Sequence, residues 1–358
     1  MKILVVPGDG IGPEITSAAM MAIDALQKRF KLDIEFTHAE SGLVSLRKYG
    51  VTVRDEDIRL AKEADCVILG PMSVREYPPV AKGGITVPAA FRSQLDLYAN
   101  IRPAYTRAGI PSVVKNMDLV FVRENLEDFY TDRNMHIGIG EFMPTPDVVI
   151  AMGKITVKGS RRIAKVAFEL AQRRPKRKVT VIHKLPVLRL YHGVFVKEAM
   201  EMAKKFPDVQ VEDMMVDAAA AGLIRNPDRF DVILTTNMFG DILSDEAVEL
   251  AGSLGLAASI NHGDESAVAQ AGHGSAPDIA GKDIANPASM MQSVAMLFEH
   301  IGAKKNASAF VEAGRCLNRI VDSMFLNSAT RTRDLGGNLG TNAFAAEVVN
   351  RIAAIESV

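Results

Sequence analysis

The chain is predicted to be an α/β protein, and three stretches carry that expectation. Lys2 to Val6 is a short apolar strand that runs through the turn Gly8–Pro13 into a helix from Glu14 to about Phe30. Ser160 to Arg173 is an amphipathic helix followed by the strand Val179–Ile182. Phe230 to Thr236 is an apolar, β-branched strand; Asn237 to Gly240 reads as a turn, and a helix starts at Asp241 and stops at Gly252. Strands alternating with helices in this way build a mostly parallel sheet, and 358 residues suggest about two domains.

The N-terminal turn has GxGxG spacing rather than GxGxxG. It carries Asp9 and Pro13 where a pyrophosphate would want bare amides, so it reads as a tight turn rather than a dinucleotide fingerprint. Strands follow at Leu32–Phe36 and Cys66–Gly70, with a helix between. Val80 to Pro88 reads as a mobile loop. The next segments carry Arg92, Arg102 and Arg123; three planar guanidinium forks suit a di- or tricarboxylate, although arginines are also common on surfaces. Further strands are expected at Val148–Ile155 and Val179–Ile182, the latter ending in His183-Lys184, and a helix at Phe195–Lys205. Lys184 there is either catalytic or simply reaches solvent.

Asp241 and Asp245 lie one helical turn apart at the carboxyl end of a strand, where open α/β sheets bind ligands. With Asp217 they suit a hard cation such as Mg²⁺ or Mn²⁺; alternatively they favour the positive end of a helix dipole. Beyond Gly255 the glycine-rich loop around His273 and Asp278 has groups that could hold an adenosine. The Met-rich helix Ala288–Gly302 reads as core. Further helices close the chain.

Composition sets the outer bounds. The chain is 48% hydrophobic and 24% charged with a net charge of −1, so nothing points to nucleic acid or an anionic membrane. The one basic run, Arg173–Lys178, reads as a solvated loop. Cys66 and Cys316 read as small core residues, without disulfide or zinc spacing. No signal peptide or spanning stretch is visible, which makes a cytoplasmic enzyme the default.

PGDGIGPE from Pro7, LDLYANIRP from Leu95, VRENLEDFY from Val122, FDVILTTNMFGDILSDEA from Phe230, HGSAPDIAGKDIANP from His273 and DLGGN from Asp334 stand in the order and spacing of one family. The chain resembles the metal-dependent β-decarboxylating dehydrogenases that act on isocitrate, 3-isopropylmalate, homoisocitrate, and tartrate or D-malate. The resemblance implies the two-domain isocitrate/isopropylmalate dehydrogenase-like fold, not a GxGxxG Rossmann fold. It implies a large cofactor-binding domain of residues 1–98 plus 256–358 and a small domain of 99–255 with the metal site and dimer interface.

By the same resemblance Thr86, Arg92, Arg102 and Arg123 bind the substrate, and Tyr130 and Lys184 are the acid/base pair. Asp217, Asp241 and Asp245 hold Mg²⁺ or Mn²⁺, and His273, Gly274, Ser275, Ala276, Asp278, Ile279 and Asn286 bind NAD. NADP-using members have Lys and Tyr where Asp278 and Ile279 stand. Lys184 and Asp217 would reach into the partner's site, so a homodimer with shared active sites is expected. Four positions depart from the family: Thr86 and Pro88 replace a Ser and an Asn, Pro186 replaces the Asn of Lys-x-Asn, and Gln270 replaces a Glu on the adenosine side. The expected reaction is NAD-dependent oxidative decarboxylation of isocitrate or 3-isopropylmalate. Homoisocitrate and tartrate or D-malate are alternative substrates. A non-catalytic regulatory subunit is the alternative role, but all the named catalytic side chains are present.

Overall fold

The computed structural model describes residues 1–130, 135, 138 and 140–355; the polar stretch expected after Tyr130 lies largely outside them. The N-terminal strand β1 (Lys2–Val6) leads into helix α1 (Gly12–Phe30). Asp9, in the turn between them, accepts N–H bonds from Leu43 (2.8 Å) and Ser73 (3.1 Å) and the Tyr77 hydroxyl (2.7 Å). A Cβ on Gly8 would stand 2.3 Å from the Pro71 carbonyl oxygen. The turn is therefore closed by its own neighbours, as expected of a tight turn.

Strand β2 (Glu35–His38), helices α2 (Leu43–Tyr49) and α3 (Asp55–Glu63), and strand β3 (Cys66–Leu69) follow. β2 starts three residues later than Leu32 because Lys31 turns left-handed (φ 52°) and the Leu32 N–H still closes α1 on Gln27. The segment expected to be mobile is pinned: the Thr52 hydroxyl donates to Ile85 O (2.5 Å) and accepts from Ile85 N (2.8 Å). It leads into α4 (Val87–Gln94), with Pro88 in the first turn, where a missing N–H costs nothing.

The middle of the chain supplies β4 (Ala99–Tyr105), β5 (Asp118–Glu124), the ribbon β6 (Glu141–Thr145) and β7 (Val148–Ala151), α5 (Val157–Gln172), β8 (Lys178–His183), α6 (Arg189–Ala203), β9 (Gln210–Met215), α7 (Val216–Arg225), β10 (Val232–Thr235) and α8 (Asn237–Ala251). The strand expected to reach Ile155 stops at Ala151, beyond which Lys154 bridges only Asp128. The expected turn 237–240 is instead the first turn of α8. Its cap comes from a distant loop: Asp128 Oδ2 accepts the Met238 N–H at 2.8 Å. The basic run is exposed at Arg173, Pro175, Lys176 and Arg177, as expected of a solvated loop, while Arg174 pairs with Asp231 and Asp118, and Lys178 with Glu212. The chain closes with β11 (Ile260–His262), β12 (Ala267–Gln270), α9 (Ala288–Lys304), α10 (Ser308–Met324) and α11 (Thr341–Ala353). Met290, Met291, Cys66 and Cys316 are buried, as expected of core residues.

Among the described residues these strands form one ten-stranded sheet in the order β2-β1-β3-β12-β11-β4-β5-β10-β8-β9. It is parallel except where β4 meets β5 and β11, and β11 meets β12. One face carries a continuous apolar core under α1, α5, α6, α9, α10 and α11. The other face is covered in two separate patches, by α2 to α4 at one end and by α7 and α8 at the other. The gap between the patches lies over the central strands, and their side chains there are polar: Asn100, Arg102, Arg123, Asn261 and Gln270.

Behind the gap, on the continuous face, the rings of His262 and His300 stack at 4.4 Å. Burial lowers both, to about 4 and about 3, helped for His300 by His262, Lys304 and Arg173. The unfolded chain thus takes up these protons first as pH falls. The pair's contribution to stability is full above the ordinary imidazole range, near 6.5, and is lost as pH falls from there towards 4. His300→Phe keeps a ring in the stack and removes one titrating group. Its melting temperature should fall less steeply between pH 6.5 and 4 than that of the natural protein; parallel profiles would show that the pair does not set acid stability.

Candidate active site

The site grows from Arg123, at the end of β5 and 1% exposed. A buried guanidinium needs full pairing. Its Nε and Nη2 donate to Asn237 Oδ1 (3.0 and 2.6 Å), and its Nη1 donates to Asp241 Oδ1. Arg102, beside it on β4, donates to Asn100 Oδ1 (2.6 Å), Ser244 Oγ (2.8 Å), Asp245 Oδ1 (3.0 Å) and Asp241 Oδ1 (3.2 Å). The Tyr130 hydroxyl donates to the other oxygen of Asp241, and the Tyr130 ring lies 5.3 Å from the Arg123 guanidinium carbon. Arg92, on α4 across the gap, reaches Gln270 Oε1 at 3.5 Å.

Burial alone would raise both helix carboxylates. For Asp241 the charges of Arg123 and Arg102 and the Tyr130 hydroxyl outweigh it and hold the group down, at about 2. For Asp245, burial and the Asp241 charge outweigh Arg102, so it rises. Two adjacent oxygen donors with opposed shifts, facing three arginines, fit a divalent cation together with a dianionic ligand.

Not every expected site residue joins this cluster. Lys184 follows β8, and Asp217 lies in the first turn of α7 after β9, strands successively further towards the open sheet edge. Lys184 Nζ donates to Asp217 Oδ1 at 2.7 Å, which lowers the Asp217 carboxyl. Among the described residues no three acidic, His or Cys side chains converge closely enough to hold a metal, so Asp217 does not complete the Asp241–Asp245 pair within one chain. Thr86 is the N-cap position of α4 and lines a 650 Å³ cavity with Val53, Ile85 and Ala89, behind the helix that carries Arg92.

Of the seven residues expected to bind the nucleotide, five converge. His273, Gly274, Ala276, Ile279 and Asn286 line a 220 Å³ cavity, and Ile11, Gly255, Ile284 and Asp334, which the motif reading missed, complete it. Ser275 instead stitches the loop to the N-terminal turn: its carbonyl accepts the Ile11 N–H (2.8 Å), and its hydroxyl meets that of Ser73 (2.9 Å). Asp278 stands exposed on the same loop. The His273 Nδ1 meets the Gly274 carbonyl at 3.0 Å and must donate. Its Nε2 is then a buried acceptor with no partner among the described residues.

Gln270 is not on the adenosine side. Its amide oxygen serves Arg92 and, at 3.4 Å, Asn261, so it faces the gap that holds the arginines. Sequence reasoning also missed Asn100, Asn237 and Asn261. Asn100 alternates with Arg102 on β4, and that alternation within a largely apolar run was the available signal.

Residues 2–352 match the family model described as isocitrate/isopropylmalate dehydrogenase. The chain is 38% identical over 352 residues to 3-isopropylmalate dehydrogenase of Methanothermobacter thermautotrophicus, covering 98% of both. It is 40% identical over 363 residues to homoisocitrate dehydrogenase of Methanocaldococcus jannaschii, again covering 98% of both. It is 39% identical to isocitrate/homoisocitrate dehydrogenase of Thermus thermophilus, covering 99% of both. The crystal structure of isocitrate dehydrogenase from Methylococcus capsulatus superposes with a TM-score of 0.87 at 36% identity, covering 98% of this chain and 99% of that one. The chain belongs to the isocitrate/isopropylmalate dehydrogenase family and has its fold, an oxidoreductase family of decarboxylating dehydrogenases. Among the described residues no helix is long and apolar enough to cross a membrane.

Gly240 lets Arg123 approach α8. A Cβ there would stand 2.7 Å from Arg123 Cγ and 2.8 Å from Thr235 Cγ2. Alanine favours a helix over glycine by about 1 kcal/mol, but overpacking a core costs typically ~1–3 kcal/mol. Gly240→Ala should therefore lower the melting temperature and raise the substrate KM by displacing Arg123. An unchanged KM would mean that the Arg123 position is not critical.

Proposed function

We propose that this family member is an NAD-dependent, Mg²⁺- or Mn²⁺-dependent dehydrogenase that oxidises and decarboxylates a malate-type 2-hydroxy acid, isocitrate or 3-isopropylmalate. The observation that carries this reading is the gap in the second layer, where Arg92, Arg102 and Arg123 face Asp241, Asp245 and Tyr130. Arginine forks suit the two carboxylates of a malate core. When bound, the cation would sit against Asp241 and Asp245, acidify the C2 hydroxyl and stabilise charge on the oxygen after CO₂ leaves. NAD⁺ would accept the C2 hydride.

The chain's own residues do the rest. The arginines hold the carboxylates and fix the C2 hydrogen towards the nicotinamide. Lys184 takes the hydroxyl proton, and Tyr130 later delivers a proton to the carbon that has lost CO₂. The Asp241 contact orients the Tyr130 hydroxyl. On the adenosine side, the His273 Nε2, without a partner among the described residues, suits an exocyclic amine donor, and the exposed Asp278 would accept ribose hydroxyls while repelling a 2′-phosphate.

The division into a large domain of residues 1–98 plus 256–358 and a small domain of 99–255, and a cytoplasmic homodimer with shared sites, belong to the same proposal. In one chain Lys184 and Asp217 pair away from Asp241, which suits a lysine serving the partner's site. The surface around them supports a dimer: Val187, Leu190 and Ile242 are exposed, and so is every residue of the β6–β7 ribbon, including Phe142, Met143 and Val149. A two-stranded ribbon with that much apolar surface is marginal alone.

Two outcomes follow. EDTA should abolish turnover and added Mg²⁺ or Mn²⁺ restore it, whereas an unchanged rate in EDTA would rule out the cation. In a panel of isocitrate, 3-isopropylmalate, homoisocitrate, D-malate and tartrate, kcat/KM should be highest with one of the first two and higher with NAD⁺ than NADP⁺. A best rate with D-malate or tartrate, or no preference between cofactors, would contradict the substrate or the nucleotide assignment.

A further inference from the structure

Two histidines that no step above uses lie against the lysine. His183 ends β8 and His192 lies in the first turn of α6; they are 4% and 1% exposed. The Lys184 N–H donates to His192 Nδ1 at 2.8 Å, and the Leu185 N–H donates to His183 Nδ1 at 3.1 Å. Two consecutive backbone donors thus end on two imidazole acceptors. An Nδ1 that accepts an N–H cannot carry a proton, so both rings must be neutral Nε2–H tautomers. For His183 this leaves Nε2–H to donate to Asp213 Oδ2 on β9 at 2.8 Å.

We propose that His183 and His192 are positioning residues for Lys184, clamping the Lys184–Leu185 backbone through their Nδ1 atoms and so setting where the side-chain amine is presented. The proposal rests on the role given above to Lys184. The side chains around His192 support it. Its ring packs 5.3 Å from Phe239 in the first turn of α8, and the neighbouring Tyr191 donates to Asp128, the residue that caps α8 through Met238. The clamp therefore ties the lysine loop to the helix that carries Asp241. Burial, opposed by Asp128, holds His192 below the ordinary imidazole range, which keeps Nδ1 free to accept. The lysine side chain has four rotatable bonds and, among the described residues, is held at its tip only by the exposed Asp217, so its placement depends on the backbone at its base.

The test uses the whole enzyme in its saturated reaction. His192→Leu removes the acceptor and should lower kcat on the order of 10²-fold, as misplacement of a catalytic group by about 1 Å does, while KM for the nucleotide stays unchanged. His192→Asn places Oδ1 where Nδ1 was and should recover most of that loss. His192→Gln moves the acceptor one bond outward and should not. Equal kcat for the Leu and Asn variants would overturn the clamp. A second measurement does not depend on the variants being active. Long-range ¹H–¹⁵N spectra of the histidine-labelled protein show the tautomer of each of its seven histidines, with signals assigned by loss in His183→Asn and His192→Asn. Both should be neutral Nε2–H; an Nδ1–H tautomer at either overturns the proposal. Lys184→Met separates the two readings. If it keeps natural activity, the role of Lys184 fails. If it is inactive while folded His192→Leu keeps natural kcat, the clamp alone fails.

Discussion

A positive charge buried at the end of a central strand organises this molecule. Arg123 is almost wholly out of water, and an unpaired buried charge costs far more than any single contact returns. Its partners fix two parts of the chain at once. Asn237 and Asp241 bring in α8, Gly240 lets the helix come close, and Tyr130 is drawn to the free oxygen of the same carboxylate. Asn237 also donates to the Glu127 carbonyl at 3.1 Å, tying the loop that carries Tyr130 to the same helix. A stability requirement and a chemical requirement are met by the same bonds.

The sheet explains why so polar a cluster can exist in the middle of a protein. Central strands of parallel-type sheets are usually buried on both faces. Here the second face is covered only in two patches, and the strands beneath the gap alternate accordingly. On β4, Ala99 and Ile101 face the continuous core, whereas Asn100 and Arg102 face the gap. On β11, Ile260 and His262 go one way and Asn261 the other. Arg92, Gln270, Asn261 and Asn125 then form a chain of polar contacts across the sheet, from α4 to the end of β5. One substitution written in that chain is Gln270, a neutral amide beside Arg92.

Much of this was legible in the sequence, and the remainder was lost for specific reasons. Apolar runs identified the strands, and their alternation with helices identified the class. Arg102, Arg123, Asp241 and Asp245 were legible as a set because their motifs are local, and their side chains do meet. Asp128 as the cap of α8 was not, because the cap is supplied across 110 residues. That is also why the first turn of α8 read as a loop. Gln270 was assigned to the adenosine loop by its place in the chain, but a strand end separates it from His273 in space. His183 and His192 were invisible because their role is to accept backbone N–H bonds, and no spacing rule encodes that.

In the proposed dimer each active site draws on both subunits: the arginines, Asp241, Asp245 and Tyr130 from one, Lys184 and Asp217 from the other. The most direct measurement mixes Tyr130→Phe and Lys184→Met proteins, each inactive alone, and lets subunits exchange until mass-tagged hybrids are seen. Random pairing makes half the dimers hybrid, each with one intact site, so activity should return to about one quarter of the natural value. If hybrids form and activity stays at the level of the separate variants, Lys184 and Tyr130 serve the same chain's site and the shared-site account is wrong.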